Sequence, residues 1–166
     1  MNMSGNNQPS TETDKWHRKM AVDSFNETWD LMDKNERTCE EDEQMLQATF
    51  ASRYHWGKIG KPIHFQRGEW QISRVYSLLN RPEEAVHHAK LCLKFTKEMM
   101  DASVDNEGFA DFDEAFAYEA MVRALSLKGQ SEKVEQYLVL AKEAGDKIQK
   151  KEDKDWFLQN LNSIGQ

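Results

Sequence analysis

Arg67, Trp70 and Arg74 are spaced three and four residues apart, so on a helix an indole lies beside two guanidiniums. Arginine forks a carboxylate bidentately and the indole adds flat apolar area, which suits an anionic or aromatic-acidic guest. At about 100° per residue, Gln71 falls within about 60° of Arg67 and Arg74, while Ile72, Tyr76 and Leu79 lie about 120° or more away. The same residues also fit a plainer arrangement. In it Trp70 packs under the preceding hairpin and the arginines pair with acidic flanks.

A second grouping would serve a small-molecule-binding protein or an enzyme. Arg53, His55, Trp56, Arg67 and Glu69 would converge where the second and third helices meet, with Glu69 or His55 as the base. His55 and His64, brought together by a Gly–Pro turn, could begin a metal or acid–base site, but no HExxH or paired-carboxylate spacing accompanies them. His87 and His88 are adjacent, point about 100° apart and cannot chelate as an i, i+4 pair would. Ser103 to Glu114 can be laid on a calcium loop. Gly108 then falls at the sharp turn, Asp105, Glu107 and Asp111 at ligand places, and Glu114 at the bidentate end. Ser103 stands where aspartate is usual, and an acidic connecting loop with an aspartate N-cap accounts for the same residues. Phosphate-loop and nucleophile-elbow motifs are missing, so no cofactor is expected and no reaction is named. Cys92 reads as buried and unreactive. Cys39 and Cys92 fit no paired spacing and suggest a reducing cytoplasm.

These residues need helices to position them. Val22, Phe25, Trp29 and Met32 form one amphipathic stripe over about residues 14–33. Thr38 and Glu41 have capping-box spacing ahead of a second helix, which is apolar on two sides (Met45, Thr49, Ser52, Trp56 and Leu46, Phe50). A third helix carries Phe65, Gly68, Ile72, Val75, Tyr76 and Leu79. Pro82 opens a fourth, which buries Ala85, Ala89, Cys92 and Met99 and exposes His87, Lys90, Lys94 and Lys97. A fifth runs from about Phe112 to Lys128 and stops at Gly129. The sixth shows Val134, Leu138, Ala141, Gly145 and Ile148, and a short last helix offers Phe157, Leu161 and Ile164 as a cap. Nothing alternates with period two. The expectation is an all-α fold of about six to seven helices, joined by short connections into stacked antiparallel hairpins. Residues 1–13 read as a disordered tail without the apolar stretch of a secretory signal, and 14–166 as a single domain.

The chain has 166 residues and a formal charge of −7, distributed unevenly. Residues 1–50 hold 11 acidic and 5 basic side chains, 51–98 hold 4 and 9, and 99–166 hold 14 and 8. A basic island, bearing four of the five histidines, therefore sits between acidic flanks. The acidic total argues against nucleic acid and anionic membrane as partners, and no apolar run could span a bilayer. The island leaves room for an acidic peptide, or for a second copy docking on an acidic flank to make a homodimer.

The segment WQISRVYSLLNRPEEAVHHAKLCLKF resembles a tetratricopeptide repeat. Ile72, Ser73, Tyr76, Ala85, Ala89 and Cys92 occupy the family's small and large apolar places, and Asn80 stands where glycine is usual. A second match, YEAMVRALSLKGQSEKVEQYLVLAKEA, carries Tyr118, Met121, Leu125, Gly129, Val134, Leu138 and Ala141. The two units are offset by 49 residues (Ala85 to Val134), against about 34 for the standard repeat. The resemblance covers about half the chain, and the stretch SRYHWGKIGKPIHFQRGEWQISRVY also looks like that of bacterial proteins of this helical type. It implies a right-handed superhelix whose first helices line a concave groove for a partner's peptide. Position by position, the groove residues it implies are Arg67, Trp70 and Arg74, then Phe116, Glu119 and Arg123. The expected function is a cytoplasmic scaffold holding a protein or peptide partner, acidic in character, in that groove.

Overall fold

The computed structural model describes residues 10–101 and 103–165. Seven helices occur among them: α1 (Glu12–Met32), α2 (Cys39–Ile59), α3 (Pro62–Leu78), α4 (Pro82–Met100), α5 (Asp113–Leu127), α6 (Ser131–Asp146) and α7 (Lys151–Asn162). No strand is present among the described residues, and the fold is all-α as the periodicity predicts.

Local chemistry explains where the helices begin. Helix α1 starts at Glu12, earlier than its apolar stripe suggests, because Thr11 and Asp14 form a capping box with bonds of 2.9 and 3.0 Å. The tail expected over residues 1–13 therefore ends in helix, and residues 1–9 of it lie outside the described residues. Thr38 and Glu41 make the box that their spacing implies. Pro62 and Pro82 each sit in a first turn, where the missing N–H costs nothing.

Two hairpin turns share one geometry. Asn80 (φ 56°) and Gly129 (φ 74°) both adopt the left-handed conformation. In each, the following N–H reaches back to close the helix end, from Arg81 to the Tyr76 carbonyl at 2.9 Å and from Gln130 to the Leu125 carbonyl at 3.1 Å. Asparagine is the side-chain-bearing residue that tolerates this conformation most readily, which is why it can replace glycine here.

Consecutive helices pair as α1–α2, α3–α4 and α5–α6, and each pair packs on the next. The odd-numbered helices also touch one another directly, α1 on α3, α3 on α5 and α5 on α7. Among the even-numbered helices, α2 and α4 meet through side-chain tips such as Phe50 and His88. The odd-numbered helices thus form the more closely spaced layer, whose open side we call the inner face. Helix α5 makes this possible with small residues: Ala115, Ala117, Ala120 and Ala124 are all buried, so neighbours can approach on both sides.

The stripe on α1 does not all enter the core. Met32 is buried, but Phe25 and Trp29 are half-exposed and Val22 is exposed. The seam with α2 uses Ala21, Thr28 and Leu31 instead, and Ser52 donates to the Ala21 carbonyl at 2.8 Å. An end helix has a partner on one side only. Ala21 and Thr28 with Leu31 make that contact, and the aromatic ring of Trp29 turns along the inner face to stack on Trp70. At the other end Phe157 of α7 is fully buried against Gly145 of α6, as a cap should be.

Candidate functional site: the inner face of the helical stack

Six side chains chosen for a groove, Arg67, Trp70, Arg74, Phe116, Glu119 and Arg123, do come together on α3 and α5. Trp70 lies between aromatic neighbours, stacked on Trp29 at 5.6 Å and edge-on to Phe116 at 5.8 Å. Phe116 in turn meets Phe112 and Phe157 edge-to-face. Phe25, Trp70, Phe112, Phe116 and Trp156 line an open cleft of about 120 Å³, with Gln66, Arg67 and Asp113 in its wall. Trp156, on the exposed face of α7, is a member that the sequence reading omitted.

Arg67 is not free to fork a guest's carboxylate. Arg67 gives both arms of its fork to buried Asp113, Nε to Oδ1 at 3.0 Å and Nη2 to Oδ2 at 2.9 Å. Asp113 also caps the turn by accepting the Ala110 N–H at 2.8 Å. Farther along, Glu119 is 1% exposed and is shared by two arginines. Its Oε1 accepts from Arg123 Nε at 2.7 Å and Arg74 Nη1 at 3.3 Å. Arg74 also reaches Asn160 Oδ1 on α7 at 3.1 Å, and Arg123 reaches the Asn160 carbonyl at 2.7 Å. Burial lowers the Arg74 guanidinium to about 10, with Arg123 pushing the same way and Glu119 opposing.

Two arginines around one carboxylate leave one net positive charge. Both line a second cavity of about 340 Å³ with Ser77, Leu78, Ser126, Leu127, Ile164 and Gly165. Among the described residues, neither Arg74 Nε nor Arg123 Nη1 has an acceptor. Two buried acceptors lack donors as well, Glu119 Oε2 and Gln66 Oε1. The inner face thus has an aromatic cup at one end and a cationic pocket at the other.

The grouping of Arg53, His55, Trp56, Arg67 and Glu69 does not form. Helical phase scatters it: Glu69 turns to the outer side of α3, where Arg53 Nε donates at 2.9 Å and His88 Nδ1 lies 2.7 Å away. Arg67 turns to Asp113 on the inner face. His55 faces α1 and sits with its Nδ1 2.8 Å from that of His17, so one ring holds a proton that the other accepts. Burial chiefly, then His17, lowers the pKa of His55. Trp56 stacks on His64 at 3.9 Å under Arg18. His64 is likewise depressed, first by burial and then by Arg18 and Arg67.

The calcium-loop reading is also corrected. Asp105 and Glu107 pair with Lys61, Asp111 accepts the Gln149 N–H at 2.8 Å, and Glu114 pairs with Lys147. The four carboxylates are drawn to three separate partners, and among the described residues no three His, Cys, Asp or Glu groups converge to hold a metal ion. Cys92 is fully buried, which pushes its thiol pKa up and keeps it protonated. No helix among the described residues is long and apolar enough to cross a membrane.

No protein-family model, curated protein or solved structure matches this chain.

Proposed function

We propose that the chain is a tetratricopeptide-like binding module whose inner face holds a segment of a partner protein. The observation that carries this reading is the aromatic cleft between α1, α3, α5 and α7. Five aromatic rings, four on helices α1, α3, α5 and α7 and one at the N-cap of α5, line a cavity that the chain's own side chains leave open. Exposed aromatic surface costs free energy in water, and such clusters on a rigid scaffold anchor partners. Its volume suits one side chain more than a whole cofactor, which favours a peptide over the small-molecule alternative. The pairing of Arg67 with Asp113 shifts the basis of recognition from charge toward apolar burial.

Site-specific photo-crosslinking in cells tests this. A photoreactive phenylalanine analogue at Trp156, at the cleft, is expected to give discrete adducts, whereas the same group at exposed His87 on α4 should not. Equal labelling from the two faces would sink the reading.

A further inference from the structure

The two cavities of the inner face lie at successive positions along α3 and α5, and their separation sets a register. The cup is built on residues 66–70 of α3 and on 112–116, the N-cap and first turn of α5, with Phe25 and Trp156 completing it. Arg74 and Arg123 lie beyond the centres of those spans by six and nine residues, which at 1.5 Å rise is about 9–14 Å. An extended chain covers that distance in three to four residues at about 3.3 Å each.

The chemistry of each end differs. In the cup, the walls are rings, and the nearest guanidinium, Arg67, already has its charge neutralised by Asp113 at 2.9 Å. An apolar side chain therefore meets no unpaired charge there, and about 120 Å³ is well below the roughly 300–1,000 Å³ of a whole small-molecule site. In the second pocket, Arg74 and Arg123 share one carboxylate, and among the described residues Arg74 Nε and Arg123 Nη1 have no acceptor. The leftover charge is positive and partly desolvated, which is the setting in which a carboxylate gains most.

Building on the peptide-binding reading, we infer that the partner is an extended segment carrying a bulky apolar residue followed or preceded, three to four positions away, by an aspartate or glutamate. The apolar side chain enters the cup, and the acidic side chain reaches Arg74 Nε and Arg123 Nη1. Charge complementarity selects this occupant: a basic or neutral residue at the second position would leave those donors unanswered and the surplus charge in place.

The test is a random nine-residue peptide library, displayed with both ends blocked and selected on the intact chain, with Trp70→Ala as the counter-selection. The expected outcome is enrichment of an apolar residue with an acid three or four places away. A fluorescein-labelled peptide from that pool should bind about tenfold more weakly when its acid becomes the amide. Arg123→Gln should erase that difference while the apolar requirement persists, with circular dichroism confirming that the variant is folded. Enrichment of apolar residues without an acid at fixed spacing overturns the inference and leaves the peptide reading standing. An acid selected only as a free chain terminus overturns it too. No enrichment over the Trp70→Ala protein overturns both.

Discussion

Replacing Glu119 by glutamine removes one charge and almost no volume, so it isolates the electrostatics at the centre of the inner face. If the amide oxygen takes the place of Oε1, it still accepts from Arg74 and Arg123, but as a neutral acceptor. Bonds from a guanidinium to a carboxylate contribute about 1.5–3 kcal/mol and neutral ones about 1, so two weakened contacts cost about 2 kcal/mol. The new NH₂ falls where Oε2 now has no partner, and an unanswered buried donor replaces an unanswered buried acceptor. Arg74 and Arg123 keep 19% and 16% of their side chains in solvent and retain Asn160, which limits the penalty from uncompensated charge. The expected loss is therefore about 2–3 kcal/mol, or a fall in Tm of about 5–10 °C for a domain of this size. Thermal melting followed by circular dichroism measures it. An unchanged or higher Tm would mean that desolvation outweighs the pairing, and the account of Glu119 as the anchor of two arginines would be wrong.

Three further outcomes follow from the packing and the titrating groups. In Gly145→Ala the new Cβ would sit 2.3 Å from the Phe157 ring, so the variant should lose about 1–3 kcal/mol in urea unfolding, with α7 the first helix to lose amide-exchange protection. His55 and His64 have folded pKa values depressed below 6.5, so the unfolded chain binds protons more readily. Stability is then full above that value and falls as pH drops through the folded pKa values. The urea midpoint should decrease between pH 7 and pH 5, and His55→Gln with His64→Gln should flatten the slope. Of the two thiols, exposed Cys39 should react with Ellman's reagent in the native state, whereas Cys92 should react only after unfolding.

The fold was legible because helical period and turn chemistry are local. Thr38 with Glu41, Pro82, Asn80 and Gly129 each announce a boundary within a few residues, and the structure uses all of them. The Thr11–Asp14 box was missed since an aspartate at the third position is a weaker signal than glutamate. The α1 stripe misled for a different reason: hydrophobicity cannot tell core from a partly exposed apolar face, and the real seam is marked by Ala21 and Thr28. The site was legible only in outline. That Arg67, Trp70 and Arg74 share a face follows from their spacing, but Asp113 lies 46 residues from Arg67, and no local pattern names it as the partner. His17 was unreadable in the same way, since its link to His55 needs the α1–α2 pairing first.

Arg74 reaches past α5 to Asn160, a bond between residues 86 positions apart in the chain. A stack of hairpins ordinarily transmits strain only from one unit to the next. Here the terminal helix is tied to the middle of the array by the same two guanidiniums that border the cationic pocket. Fraying of α7 and occupancy of that pocket therefore draw on a common pair of side chains. Their free energies are linked, and by reciprocity an anion that recruits Arg74 or Arg123 must change the opening equilibrium of α7 by as much as that opening changes the anion's affinity.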